Sequence, residues 1–422
     1  MSIRADFPIL DTVINGKKLT YLDSAATTQK PLIVIDSIYD FMKNHNGTVR
    51  RGVYDLSNQA TQKFDLAREK IRAFINAKYS HEIIITRGTT ESINLLAHSF
   101  CSALKGNLGL DSTVSENNSS LRLGADEKVE ILISGLEHHA NIVPWQLNAK
   151  KIGAEIKVIP VLDDGTLDQK AFRELIKSGN VRILALTHIS NALGTINPIK
   201  EMISIAHQHS VPVLIDGAQG ISHTQIDVQD LDADFYVFSG HKLYGPTGVG
   251  VLYGKEKLLK ELPPYHGGGE MIDKVSFKQT SFGDLPFKFE AGTPPIAEVI
   301  GLGSAIDYIN SIGMEQIQSL EHSLHEYCEA KLFEIEGLRV IGNAPAKASI
   351  TSFVFDDIDA FDIGTMLNQH GIAIRTGHHC TQPLMQRFNL SGTARVSIAF
   401  YNNTEDIDRF ISALKSVVKL FR

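Results

Sequence analysis

The sequence predicts an α/β protein: a large domain built on a mostly parallel sheet, followed by a smaller α+β domain. Three observations carry this. From Val129 onward short, continuous apolar runs alternate with helical stretches, the pattern of a parallel sheet covered on both faces. The polar residues of that region fall where the runs end, which is where ligands sit in such sheets. Beyond Tyr253 the alternation fades, and the last third of the chain mixes helices with short strands.

Taken in order, Leu22-Asp-Ser-Ala-Ala-Thr-Thr-Gln-Lys-Pro31 is a small-residue turn leading into a helix near Pro31, and its short side chains permit close backbone approach. Asn46-Gly-Thr-Val-Arg-Arg-Gly-Val-Tyr54 reads as a loop carrying Arg50 and Arg51, with a helix after it to about Ile75. The run 83–86 is a strand, and Arg87-Gly-Thr-Thr-Glu91 turns from it into a helix running from Ser92 to about Phe100. A strand, a Gly-Thr turn and a helix N-terminus make a phosphate site, because unpaired N–H groups and the positive dipole end converge there. Thr89 or Thr90 serving as an ordinary helix cap explains the same threonines. The stretch from Asn107 to Lys128 is rich in Ser, Asn, Gly and charge and reads as a surface loop.

Strands are expected at 129–134, 155–160, 181–187, 211–216 and 235–239. Their ends carry Glu137-His138-His139, His188 to Asn191, Asp216 to Gln219 and Ser239 to Lys242. His266-Gly-Gly-Gly269 and Phe289-Glu-Ala-Gly-Thr-Pro-Pro295 mark an irregular region before a long helix at about 296–312. The domain boundary is placed there, giving 22–294 and 295–422, with 1–21 joining the second unit. Within the smaller domain, helices at about 314–336, 360–370 and 404–420 alternate with strands at 349–355, 372–375 and 393–399.

A chain of 422 residues, 43% of them hydrophobic, has material for a sizeable core. Its 41 basic and 48 acidic residues are spread along the sequence, so the net charge of −7 suggests neither a nucleic-acid face nor an acidic tail. The first residues lack the basic-then-apolar pattern of a targeting segment, and no run approaches the roughly 18 apolar residues of a membrane span. A cytoplasmic protein is expected. Cys101, Cys328 and Cys380 are odd in number and widely spaced, which argues against a disulfide framework. Cys101 and Cys328 lie in helical patterns. Cys380 stands in the turn Thr376-Gly-His-His-Cys-Thr-Gln-Pro383, beside imidazoles and Arg375, where a thiol ionises and reacts. Adjacent residues point in different directions and no fourth ligand is evident, so no metal is expected there.

The chemistry centres on Phe235-Tyr-Val-Phe-Ser-Gly-His-Lys242, which ends a buried strand on a lysine. Desolvation disfavours the ammonium, and a neutral amine is what Schiff-base chemistry requires. An acid, a stacking histidine, a phosphate turn and such a lysine together ask for pyridoxal 5'-phosphate. In that assignment Lys242 forms the Schiff base, Asp216 pairs the ring nitrogen and Gln219 reaches the phenolic oxygen. His138 stacks on the ring, with Thr89, Thr90, Ser239 and His241 on the phosphate.

The same residues resemble a known family. Arg87-Gly-Thr-Thr-Glu91, Glu137-His-His-Ala-Asn-Ile-Val-Pro-Trp145, Asp216-Gly-Ala-Gln219, Ser239-Gly-His-Lys-Leu-Tyr-Gly-Pro-Thr-Gly248, Phe289-Glu-Ala-Gly-Thr293 and Arg375-Thr-Gly-His-His-Cys380 are similar, in order, to signatures of the fold-type I, class V aminotransferase group and within it the SufS-type cysteine desulfurases. The resemblance spans nearly the whole chain. It implies a fold-type I transferase, supports the roles above, and adds Asn191 near the cofactor and Arg395 with Arg375 for the substrate carboxylate. It also implies a homodimer in which Thr293 reaches the partner's phosphate. The reaction it implies takes sulfur from L-cysteine, leaves L-alanine and holds a persulfide on Cys380, with Lys242 and His138 moving protons. The sulfur would pass to a SufE- or SufU-like protein for iron–sulfur cluster assembly. Where relatives often have His-Arg-Gly, this chain has Arg50-Arg51-Gly52. A selenocysteine lyase or cysteine sulfinate desulfinase would use the same cofactor site on another leaving group. A cofactor-free lysine aldolase would leave the phosphate turn and Asp216 without a task.

Overall fold

The computed structural model describes residues 3–106 and 128–422. The loop expected from Asn107 to Lys128 lies, up to residue 127, outside the described residues.

A seven-stranded mixed sheet organises the molecule. Its strands are β1 (Ile83–Thr86), β2 (Glu130–Ser134), β3 (Glu155–Ile159), β4 (Val181–Thr187), β5 (Val213–Asp216), β6 (Phe235–Ser239) and β7 (Gly250–Gly254), in the spatial order β1-β7-β6-β5-β4-β2-β3. The strands from β2 to β6 pair in parallel, and β7 runs antiparallel to both β6 and β1. Apolar residues fill both faces, as the continuous runs require: β1, β5, β6 and β7 are buried along their whole length.

The strand β7 is absent from the sequence-based expectation. Only Val251, Leu252 and Tyr253 stand between its terminal glycines, a run too short to separate from the Gly-Pro loop before it. Its register explains those glycines. Gly250 pairs with Ser239 on one side and Thr86 on the other, and a Cβ at Gly250 would lie 2.3 Å from Gly88 Cα. Only glycine lets the turn after β1 lie this close to the start of β7.

A four-stranded antiparallel sheet forms from Leu338–Ile341, Ile350–Phe355, Thr393–Ser397 and Arg375–Gly377, in that spatial order. The single strand expected at 372–375 is therefore two: Ile372–Ala373 pairs instead, in parallel, with Thr20–Tyr21. An isolated bridge between Asp23 and Ser397 extends this contact, so the N-terminal segment seals against the late strands. Long helices lie at Asp55–Phe74, Ile296–Ile312, Met314–Phe333 and Thr404–Phe421, the second packing along the first. Among the described residues no helix is long and apolar enough to cross a membrane.

Candidate active site

The parallel register delivers Thr187, Asp216 and Ser239 to one edge of the sheet: Thr187 pairs with Asp216, and β6 ends one turn before Lys242. A cavity opens at that edge, lined by Lys242, Asp216, Gln219, His138, Asn191, Ser239, His241, Thr89, Thr90, Arg375 and Arg395. These residues are thus brought together from stretches as distant as the strand β1 turn and the strand Thr393–Ser397. Thr293 is outside it, exposed and lining a groove with Arg87, Glu91 and His266. Cys380 does not line the cavity either, but it closely follows Arg375 and adjoins His379, which do.

The helix after β1 begins at Thr89 rather than Ser92, so both threonines sit in its first turn. Neither acts as an ordinary cap. Gly88 holds the cap position, and the hydroxyls of Thr89 and Ser239 lie 2.8 Å apart while Thr89 N–H donates to Ser239 Oγ at 2.8 Å. A hydroxyl from the end of β6 therefore meets a hydroxyl of the first turn at the N-terminus of a 16-residue helix.

Lys242 sits in a tight turn after β6, half-buried and facing charge of both signs. Burial pushes its amine down to about 8, with Arg395 and Arg375 adding to the effect and Asp216 opposing it. Asp216 is 3% exposed, its Oδ1 accepting Ala218 N–H at 3.0 Å, and burial raises its carboxyl against the pull of Lys242. Gln219 is fixed by donating from Nε2 to the Ala25 carbonyl at 2.7 Å.

His138 Nδ1 accepts Ala140 N–H at 3.0 Å, which puts the proton of the neutral ring on Nε2. Burial, helped by the charge of Lys242, pushes this imidazole down to about 3, so it stays neutral. Behind it the buried Glu137 gathers Asn141 Nδ2 at 2.7 Å, Thr187 N–H at 2.8 Å and the Ser134 hydroxyl. That network ties the His138 loop to the end of β4.

The turn carrying Cys380 is clamped from several directions. His139 N–H donates to the Cys380 carbonyl at 2.7 Å, Cys380 N–H to His378 Nδ1 at 3.0 Å, and Gln382 N–H to His139 Nε2 at 3.1 Å. Asn191 Nδ2 donates to the His379 carbonyl at 2.8 Å. His379 and Cys380 both adopt left-handed backbone, with φ of 50° and 58°, a conformation that persists only where surroundings enforce it. Cys380 is half-buried rather than fully exposed, and Arg375 Nη2 approaches its Sγ at 3.9 Å. Cys101 and Cys328 are buried, and burial pushes both thiols up to about 12.

Arg395 is 1% exposed and donates from Nη1 to the Asn191 carbonyl at 2.8 Å and from Nη2 to Asp23 Oδ1 at 2.7 Å. Asp23, Thr187 and the cavity-facing place of His379 are what sequence reasoning missed. A lone acid inside a small-residue turn was the available signal for Asp23. Arg50, by contrast, packs on the rings of Phe287 at 4.4 Å and Phe64 at 5.2 Å, and Arg51 pairs with Glu270 at 2.7 Å. Neither lines the cavity.

The family model for aminotransferase class-V matches residues 20–123 and 117–410. The chain belongs to the class-V aminotransferase family, among its cysteine desulfurases. A probable cysteine desulfurase of Vibrio cholerae serotype O1 is 47% identical over 99% of this chain and 98% of its own length. The Escherichia coli cysteine desulfurase CsdA, solved as an S-sulfonic acid, superposes with a TM-score of 0.87 at 37% identity, covering 99% of this chain and 98% of its own. The apo cysteine desulfurase of Thermococcus onnurineus gives 0.89 at 33% identity, covering 99% and 97%. Pyridoxal 5'-phosphate is the cofactor of the family. The donor set fits it: an amine held near neutrality, a buried carboxylate, a neutral imidazole, and hydroxyls at a helix N-terminus share one cavity.

Proposed function

We propose that this chain is a cysteine desulfurase that converts L-cysteine to L-alanine and keeps the sulfur as a persulfide on Cys380. The observation that carries the reading is one short stretch, 375–380: it supplies Arg375 and His379 to the cavity and presents the single cysteine of the three that is not buried.

When bound, pyridoxal 5'-phosphate supplies an aldehyde for the amino group and a protonated ring that delocalises negative charge from the substrate Cα. Lys242 is the residue that would hold the aldehyde, and as a free amine it would take the α-proton and later return one, which its lowered affinity for protons allows. The Asp216 carboxylate would keep the ring nitrogen protonated, Gln219 would address the phenolic oxygen, and Thr89, Thr90, Ser239 and His241 would hold the phosphate. Arg395 would take the substrate carboxylate, with Arg375 and Asn191 beside it. His138, neutral and with its proton on Nε2, would stack on the ring and have that N–H to give. Cys380, as thiolate, attacks the substrate sulfur. The new S–S bond forms as the substrate Cβ–S bond breaks, its electron pair stays with Cβ, and a proton there completes alanine.

On this reading the chain divides into a cofactor unit at 22–294 and a smaller unit at 295–422 tied down by 1–21. Thr293, turned away from its own cavity, serves the phosphate of a second copy in a homodimer. Three unpaired cysteines suit a reducing compartment, hence the cytoplasm. A SufE- or SufU-like acceptor then passes the sulfur toward iron–sulfur clusters.

The test is Cys380→Ser. Alanine release from L-cysteine should fall by at least about a hundredfold, and no persulfide should be detected on the protein by mass, while the bound cofactor keeps its visible spectrum. Undiminished alanine release would show that sulfur leaves without a thiol, and selenocysteine or cysteine sulfinate would then become the substrates to try.

A further inference from the structure

The one acid in the small-residue stretch Leu22–Pro31 is Asp23, and it faces the guanidinium of Arg395. We propose that Asp23 is a positioning residue for substrate selectivity: it fixes the plane of Arg395 so that the cavity discriminates amino acids from amines lacking a carboxylate. This rests on the reading that Arg395 takes the substrate carboxylate.

The case starts from burial. Arg395 is almost wholly enclosed, and a buried cation that is not paired is strongly destabilising. It has two anchors on two different nitrogens: Asp23 Oδ1 on Nη2 at 2.7 Å and the Asn191 carbonyl on Nη1 at 2.8 Å. Two fixed points on a rigid planar fork leave it one orientation. Three N–H groups remain, one on each terminal nitrogen and that of Nε, which is buried and has no partner among the described residues. Donors held in a plane at a cavity wall match a planar carboxylate.

Asp23 is itself held in place. It bridges to Ser397, two residues beyond Arg395, while Ala25 N–H donates to Ser397 Oγ at 2.9 Å and Tyr21 O–H to the Asp23 carbonyl at 3.3 Å. The acid and the arginine are therefore locked to the same strand end, although they lie at opposite ends of the sequence. Charge and geometry are divided between the two arginines of the cavity. Asp23 offsets the charge of Arg395, leaving it to orient, and the second arginine, Arg375, keeps the site attractive to an anion.

A competing effect has the opposite sign. If Asp23 merely occupied Arg395, removing its charge would free donors and tighten substrate binding. Asp23→Asn in the cofactor-loaded enzyme separates the two. The expected result is a KM for L-cysteine raised about tenfold with kcat within about threefold of wild type. The Kd for L-alanine by calorimetry should weaken by about the same factor, and the cofactor spectrum should not change. Cysteamine, which has the thiol and amine but no carboxylate, should bind as it does to wild type. An unchanged or lowered KM for L-cysteine, or an equal loss of cysteamine binding, overturns the proposal. Arg395→Ala keeps the two ideas apart: if it leaves KM unchanged, the carboxylate reading of Arg395 has failed, whereas a raised KM there with none in Asp23→Asn sinks the role of Asp23 alone. Should Asp23→Asn not fold, Asp23→Glu decides, since it keeps the charge but displaces it by one methylene. A KM above wild type supports the proposal, and a wild-type or lower KM refutes it.

Discussion

The two walls of the cavity are built by different means. Asp216, Ser239 and Thr187 stand at the ends of strands whose buried ladders fix them in register, and Lys242 follows Ser239 by one tight turn. Arg375 opens a short edge strand of the smaller sheet, and His379 and Cys380 follow it in a turn with two consecutive left-handed residues, held by hydrogen bonds with His139, His378 and Asn191. The first wall is stiff because nothing in it can shift without breaking a sheet. The second is stiff only while its clamps hold. A cofactor bound by many groups needs the former. A thiol that must meet a substrate sulfur and then hand that sulfur on is better served by the latter.

The largest effect should come from the strand wall. On the proposed reading Lys242→Ala removes both the covalent anchor and the base, so turnover should drop by at least about a thousandfold and borohydride should no longer fix the cofactor to the chain. The wild-type absorption at roughly 420 nm, expected of a lysine-bound cofactor, should vanish with it. The pH dependence sharpens the same point. Burial lowers the Lys242 amine, so in cofactor-free protein the rate of cofactor capture should climb as pH rises through about 8, well below an exposed lysine. A rate that keeps rising to the ordinary lysine range would show that burial does not act on this amine.

Gly250→Ala tests whether the stiffness is real. Its new Cβ would fall 2.3 Å from Gly88 Cα, backbone against backbone, so the turn bearing Thr89 must move. Stability should fall by about 1–3 kcal/mol in a denaturant titration, and affinity for free pyridoxal phosphate should weaken with it. A variant with wild-type values in both would mean the turn after β1 and the start of β7 tolerate separation.

The smallest expected effect lies in the thiol wall. His139→Ala deletes the acceptor for Gln382 N–H and the ring that lies 5.5 Å from His378, yet leaves every strand end intact. Persulfide formation should slow by about three- to tenfold with an unaltered cofactor spectrum. A loss of cofactor instead would show that the two walls are one mechanical unit.

Sequence reasoning reached the strand wall almost completely because its residues follow apolar runs, and a run ending in Asp-Gly-Ala-Gln or Ser-Gly-His-Lys declares its chemistry locally. It placed the helix start three residues late, since nothing local says that Thr89 would bond Ser239 across the sheet. It missed β7 because an antiparallel return strand of three side chains between glycines has no period to detect. Asp23 escaped for a different reason: its partner is fixed by the Asp23–Ser397 bridge, and such a pairing leaves no trace in the spacing of either segment. Contacts between distant stretches are invisible to propensity. They are where the sequence-based picture of the site stopped.

That bridge has a consequence for biosynthesis. A ribosome releases Asp23 well before Thr393–Ser397, and chains fold from the N-terminal side as they emerge. All seven strands of the sheet that presents Lys242 therefore precede, in synthesis, the strand carrying Arg395. Until that strand docks against the N-terminal segment, the partial chain holds the lysine without Arg395. On the proposed reading substrate selection is thereby deferred to that late docking, and a chain truncated before Thr393 should lack the carboxylate clamp.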